Sequence, residues 1–338
     1  MISTGVNLRV LVTGGAGFIG SHIVDAYVRA GHHVAVVDNL TTGRRDNVNS
    51  RAQFVCADIR DPSMDAVFQH GQFDVVNHHA AQIDLRRSVA DPAHDAEVNI
   101  VGTLNLLECA RRHGVQSVIL ASTGGAIYGD QAIYPTPESE AAHPQSPYGV
   151  AKLAIEHYLY YYRSVHGLRS VVLRYANVYG PRQDPFGEAG VVAIFIQRLL
   201  KGDTPIINGD GDQTRDFVFV DDVVQANLVA LDYLSDGSGE ADPLVVNIGT
   251  GEEVSVNRLF ALLSEFLQSP PTSLYGPAKP GEQRRSVINP SYAKQTMGWE
   301  PRVGLEEGFR KTWDWFKVDS DHTRKPRMAA DQIFPVRA

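Results

Sequence analysis

Tyr148 and Lys152 stand four residues apart in the run SPYGVAKLAIEHY, whose spacing predicts a helix. Ser146 is a good N-cap and Pro147 a good first helical residue, so Tyr148 falls in the first turn and Lys152 on the same face. A phenol titrates near pH 10, too high for a base at neutral pH. A neighbouring ammonium, the helix N-terminus and a bound cation all favour the phenolate. Lowering the phenol pKa by about 3 corresponds to roughly 4 kcal/mol of differential interaction. The chemistry is then removal of a proton from a hydroxyl. In an arbitrary helix the same spacing is an ordinary surface pair. Its meaning depends on what lies upstream.

Upstream lies LRVLVTGGAGFIGS, Leu8 to Ser21. Leu8–Val12 is a short apolar run rich in β-branched residues, the pattern of a strand buried on both faces. Glycines follow at 14, 15, 17 and 20, and Phe18–Ala30 reads as a helix capped by Gly31. Small residues let the backbone approach a pyrophosphate, and the free N–H groups of the first helical turn hold its charge. The spacing Gly14-x-x-Gly17-x-x-Gly20 departs from G-x-G-x-x-G. The next strand, His33–Val37, ends in Asp38. A carboxylate there accepts hydrogen bonds from the adenosine ribose hydroxyls and repels a 2′-phosphate, which favours NAD over NADP.

These residues need a scaffold, and the chain supplies one. Strand patterns at Leu8–Val12, His33–Val37, Gln53–Cys56, Val75–Asn77, Ser117–Leu120 and Ser170–Leu173 alternate with helical stretches, notably Ala93–His113 and Pro147–His166. Such alternation predicts an α/β fold, a doubly wound parallel (Rossmann) sheet with ligands at the C-terminal strand ends. That edge collects Gly14–Gly20, Asp38, Asp58, His78–Gln82, Ser122–Gly125 and Tyr175–Asn177. Beyond 177 the elements shorten and Pro, Gly and Asp become frequent. We expect a nucleotide-binding domain over 1–177, with 217–250 returning to it. A smaller C-terminal substrate-binding lobe takes 178–216 and 251–318, and 319–338 reads as a flexible tail.

Composition narrows the partners. The chain has 338 residues, 43% hydrophobic and 21% charged, with a net charge of −8, which argues against a nucleic-acid surface. No apolar run approaches the roughly 18 residues of a membrane span, and the first residues lack a secretory pattern. Cys56 and Cys109 read as small core residues rather than a disulfide scaffold, so the cytoplasm is the expected compartment. The His78–His79 and His32–His33 pairs lack a third ligand at a suitable spacing, so no metal is expected.

TGGAGFIG, DNL at 38–40, ADI at 57–59, HHAAQ at 78–82, STGGAIYG at 122–129, SPYGVAK at 146–152 and NVYGPRQ at 177–183 resemble the extended short-chain dehydrogenase/reductase superfamily. With NGDGDQTRDFVFVDDVV at 208–224, NIGTG at 247–251 and GWEP at 298–301, the chain is most similar to its UDP-galactose (UDP-glucose) 4-epimerases. The resemblance implies NAD contacts at Gly14, Gly17, Phe18, Ile19, Asp38, Asn39, Asp58, Ile59, Ala80, Ala81, Asn99, Tyr148, Lys152 and Tyr175. It implies substrate contacts at Asn177, Arg182, Arg215, Glu282 and Ser286, with Pro205, Ile207 and Asn208 along the uracil slot and Lys279 or Arg284 as a second phosphate contact. The hydroxyl that assists the tyrosine in relatives falls here on Gly124. Thr123 is the expected replacement and Ser122 the other hydroxyl at hand; otherwise the tyrosine works unaided.

What the resemblance implies is a tightly bound NAD and inversion of C4 of a UDP-hexose through a transient 4-keto sugar. UDP-glucuronate and UDP-N-acetylhexosamine are the alternative substrates, and a non-enzymatic NAD-binding regulator is the alternative of another kind. Related dehydratases carry an Asp-Glu pair directly after the catalytic threonine, whereas Gly124-Gly125-Ala126 has no titratable group. Relatives also pair two helices in a four-helix bundle, which implies a homodimer through 93–113 and 147–166. Leu104, Leu107, Ile155, Tyr158, Leu159 and Tyr162 are the expected contact faces.

Overall fold

The protein is described by a computed structural model covering residues 7–186, 190–235, 243–268, 270–279 and 283–318. Val10, Leu11 and Val12 are fully buried, as a strand covered on both faces requires. This strand, β1 (Arg9–Thr13), runs through the glycine turn into α1 (Phe18–Arg29), and Gly31 closes that helix with φ at +93°. Next come β2 (His33–Asp38), β3 (Gln53–Cys56), α2 (Met64–Gly71), β4 (Val75–His78), α3 (Leu85–Ala90), α4 (Pro92–Ala96) and α5 (Gly102–Arg112). The first half ends with β5 (Ser117–Thr123), α6 (Gly124–Ile127), α7 (Pro147–His166) and β6 (Arg169–Tyr175).

The second half contains β7 (Asn177–Tyr179), α8 (Val191–Leu200), β8 (Ile206–Asn208), β9 (Thr214–Arg215), β10 (Phe217–Phe219), α9 (Val220–Ser235) and β11 (Leu244–Ile248). It continues through β12 (Val254–Ser255), α10 (Val256–Ser264), β13 (Leu274–Gly276), β14 (Arg285–Ser286), α11 (Ser291–Met297) and α12 (Leu305–Val318).

Seven strands form one parallel sheet in the order β11-β6-β5-β4-β1-β2-β3. The winding direction reverses between β1 and β4, and the crevice at such a switch point receives ligands. One face of the sheet is covered by Ile23, Val24 and Tyr27 of α1 with Val223 and Leu231 of α9. The other is covered by Phe68 of α2, Leu106 and Leu107 of α5, and Ile155, Leu159 and Tyr162 of α7. A separate core of Phe195, Ile196, Leu259, Phe260, Phe309 and Trp313 joins α8, α10 and α12. β11 returns to the edge of the main sheet beside β6, and β10 pairs with β7 in a separate two-stranded sheet.

Three local expectations change. The helix expected over Ala93–His113 runs from Pro92 to Arg112 but carries a π-turn: α4 starts at Pro92 with the Asp91 carboxylate accepting from His94 N–H, and Glu97–Val101 leads directly into α5. Cys56 is exposed, because it ends the edge strand β3 rather than sitting in the core, while Cys109 is buried. Leu107, Ile155, Leu159 and Tyr162 pack into this chain's own core instead of forming an outward face. The tail at 319–338 and Glu282 lie outside the described residues.

Candidate active site

The glycine turn is tight for identifiable reasons. Gly14 has φ at +70°, and a Cβ on it would lie 2.6 Å from Ala80 N in the loop after β4. A Cβ on Gly20 would lie 2.3 Å from Gly14 O. Gly17 caps α1 without a side-chain hydrogen bond, so no side chain competes for the amides of the first turn, where Phe18 and Ile19 stand. At the end of β2 the Asp38 carboxylate accepts from Ala16 N at 3.0 Å and from Leu40 N at 2.8 Å. Burial pushes that carboxyl up, and the two donors pull it back. Beside it Asn39 donates to Asp58 at 2.9 Å, and Arg60 holds Asp58 well below the usual carboxylate range. Ile59 is buried under this edge, its carbonyl accepting from Asn105. A cradle that any added Cβ would fill, next to an acid at the end of the second strand, fits a dinucleotide without a 2′-phosphate.

His78 is fully committed. Thr103 Oγ1 donates to Asn99 O at 2.6 Å, so it accepts from His78 Nε2 at 2.8 Å. That leaves Nδ1 to accept from Thr13 Oγ1 at 2.6 Å, and Thr13 in turn accepts from Ala80 N at 3.2 Å. Burial, with the charge of Lys152, keeps this ring neutral. His79 stacks on Tyr175 and reaches its hydroxyl at 3.2 Å, and burial pushes it down to about 3. Among the described residues no cluster of three or more His, Cys, Asp or Glu is arranged to hold a metal ion. Asn99 sits on the π-turn, accepting from Gln82 N at 2.9 Å and donating to Gln82 O at 3.0 Å. It thereby pins the backbone at Gln82, directly after Ala80 and Ala81.

Tyr148 is held by its backbone. Ser146 Oγ accepts from Gly149 N at 3.1 Å and Ser88 Oγ from Tyr148 N at 2.7 Å, satisfying two amides that the helix start leaves open. Gly149 allows α7 to approach α6, since a Cβ there would lie 2.4 Å from Ala126 O. Lys152 Nζ donates to Ala121 O at 2.9 Å and stands 5.8 Å from the centre of the Tyr148 ring. Burial pushes this ammonium down to about 8, against the support of Asp95 and Glu156. The phenol does not behave as the sequence suggests. Burial, and after it the charge of Asp95, push Tyr148 above its ordinary value. A phenolate loses more from desolvation than it gains from an ammonium whose nearest hydrogen bond goes to a carbonyl.

The two candidate hydroxyls on β5 separate cleanly. Ser122 is buried and donates to Glu156 Oε1 at 2.6 Å, so its proton is spent on the α7 side of the strand. Thr123 takes the opposite face. A Cβ placed on Gly125 would lie 3.8 Å from Thr123 Oγ1, 3.8 Å from Ser286 Oγ and 3.9 Å from Asn177 Oδ1. Three residues expected at the substrate thus surround one open point. At Gly124 the space is closed, because a Cβ would meet Ile288 at 2.7 Å.

Other expected contacts lie elsewhere. Arg182, at φ +66°, pairs with Asp25 at 2.8 Å and donates to Ser21 Oγ at 3.1 Å, clasping α1 rather than joining Arg215. Arg215 donates to Thr214 O and Gln283 O beside β14. Arg284 is exposed and pairs with Asp210 at 2.7 Å, and Lys279 is exposed. Pro205 and Ile207 are buried, and Asn208 O accepts from Gln213.

A doubly wound sheet, a dinucleotide cradle at its first turn and a Tyr–Lys pair on the helix after the fifth strand define an extended short-chain dehydrogenase/reductase. The model of the NAD dependent epimerase/dehydratase family matches residues 10–249, and the chain belongs to that family. The UDP-glucose 4-epimerase of Mycolicibacterium smegmatis is 44% identical over 318 residues, covering 93% of this chain and 100% of the relative. The UDP-glucose 4-epimerase of Thermotoga maritima, solved with UDP-glucose, superposes with a TM-score of 0.87 at 49% identity, over 91% of this chain and 98% of that one. The UDP-glucose 4-epimerase of Thermus thermophilus, solved with NAD, gives 0.84 at 43% identity, over 91% and 99%.

Proposed function

We propose that this chain uses bound NAD to interconvert UDP-glucose and UDP-galactose at C4. The observation that carries this reading is the Tyr148–Lys152 helix start packed against the segment that follows Thr123, with Thr123, Asn177 and Ser286 around one open point. NAD, when bound, would supply a reversible hydride acceptor for C4 of the sugar. The protein's own residues orient and handle the proton. Tyr148 takes the 4-hydroxyl proton and gives it back, Lys152 favours the phenolate, and Thr123 hydrogen-bonds the reacting oxygen. Asp38, Asn39, Asp58, Ala80, Ala81, Asn99 and Tyr175 would hold NAD, with Asp38 at the adenosine ribose. Arg215, with Lys279, faces the diphosphate. Gly124-Gly125-Ala126 offers no acid or base for elimination, which supports epimerisation over loss of water or carbon dioxide.

Steady-state assays with UDP-galactose and UDP-glucose, with products identified by NMR, test the reading. Absence of turnover in protein that retains NAD would favour a non-enzymatic regulator instead. Thr123→Ala is expected to lower kcat by about 10- to 1000-fold, the range of a lost hydrogen bond to developing charge. An unchanged rate would remove Thr123 from the reaction.

The same reading includes a homodimer in the cytoplasm. Its support is an outward apolar strip on α7 and the neighbouring π-turn, made of Val101, Val150, Tyr158, Tyr161 and Val165. No helix among the described residues is long and apolar enough to cross a membrane. Light scattering at micromolar concentration is expected to return twice the monomer mass, and a monomer mass would exclude this assembly.

A further inference from the structure

One turn beyond Lys152 lies a buried ion pair that takes no part in the proton transfer. Glu156 follows Lys152 by one turn on α7, Arg174 stands on β6, and both are more than nine-tenths buried. Arg174 Nε reaches the two carboxylate oxygens at 3.1 and 3.2 Å, and Nη2 reaches Oε2 at 2.5 Å. Ser122 Oγ adds a donor to Oε1 at 2.6 Å. Arg174 Nη1 donates to Tyr128 Oη at 2.8 Å, and Tyr128 donates its own proton to Asn247 Oδ1 at 2.9 Å. A buried pair of this kind persists only when its remaining hydrogen-bonding groups are matched, as they are here. Two successive residues of β5 are therefore tied to α7 one turn apart, Ala121 through Lys152 and Ser122 through Glu156. The next residue on that strand is Thr123.

We propose that Glu156, held by Arg174, is a positioning residue for the reaction: it locks the end of β5 against α7 and keeps Lys152 in its ammonium form. The proposal rests on Tyr148 and Lys152 being the base and its partner. Two carboxylates face Lys152 and oppose the effect of burial, Asp95 from α4 and Glu156 from its own helix. The other titratable groups around it are His78 at the end of β4 and His79 just after it, both neutral, and Tyr148 on α7. Neutralising Glu156 removes one of the two carboxylates that support the ammonium, so Lys152 loses its proton at lower pH.

The test is kcat against pH in NAD-loaded enzyme. In the wild type the alkaline limb is expected near 8, where burial sets Lys152. Glu156→Gln keeps an acceptor for Ser122 and is expected to move that limb down by about one pH unit while lowering kcat about tenfold, with KM changing less than about threefold. Glu156→Asp, which keeps the charge, restores the limb but not the full kcat. The double variant Glu156→Gln/Arg174→Gln leaves no lone buried ion, and its limb is expected to stay with that of Glu156→Gln, because the carboxylate is missing from both. A limb at the wild-type position in either neutralised variant overturns the proposal, whatever their stability. Activity persisting in Lys152→Met, with no alkaline limb in the wild type, would instead overturn the assignment of the base.

Discussion

Tyr148→Phe is expected to retain NAD and bind UDP as the wild type does, while turnover falls by about a thousandfold or more, at the upper part of the range for loss of a general base. The backbone of residue 148 is held by Ser88 and its neighbour by Ser146, so the ring position survives loss of the hydroxyl. Retention of more than about a tenth of wild-type turnover would show that the base lies elsewhere. The phenol's environment adds a second measurement. Among the protein's own groups, burial and after it Asp95 hold Tyr148 above its ordinary value, which keeps the phenol protonated at neutral pH. The cation of the oxidised cofactor would, with Lys152, favour the phenolate. Ultraviolet difference titration of apo and NAD⁺-loaded protein, each against Tyr148→Phe, should place the Tyr148 transition lower in the loaded form. Equal transitions would contradict this account.

Gly20→Ala is the second large effect expected. The added methyl would lie 2.3 Å from Gly14 O, 2.9 Å from Gly14 C and 3.0 Å from Gly15 Cα. All three are backbone atoms of the cradle turn, so no side chain can swing aside. Overpacking of this sort costs about 1–3 kcal/mol when the structure yields. Here yielding means opening the turn that receives the pyrophosphate. Purified Gly20→Ala is expected to carry less than about a tenth of the wild-type NAD and to lose activity in proportion. Gly304→Ala is the control, because nothing lies within 4 Å of its added methyl. Full NAD content in Gly20→Ala would mean that the cradle tolerates separation of α1 from β1.

Much of the site was legible in the chain because its parts are local. A strand, a glycine turn and a helix N-terminus follow one another without interruption, and the acid at 38 ends the very next strand. Tyr148 and Lys152 owe their common face to helix geometry alone, and Ser146 and Pro147 announce where that helix begins. Alternation of strand and helix determined the parallel sheet, since right-handed crossovers leave few other ways to connect such elements.

Only the tertiary structure decided questions whose answers depend on partners far away in the chain. Ser122 and Thr123 are equivalent hydroxyls in sequence; Glu156, 34 residues on, occupies one and leaves the other facing Asn177 and Ser286. Gly124 has no room for a side chain because Ile288 arrives from the far lobe. Arg182 looked available to a diphosphate until Asp25, 157 residues away, appeared beside it. The neutral, doubly bonded state of His78 depends on Thr13 and Thr103, and the exposure of Cys56 on β3 being an edge strand. The phenol shows the physical reason most plainly. Spacing reveals the neighbouring ammonium, but desolvation is a property of everything packed around the ring, and that sum exists only in the folded chain.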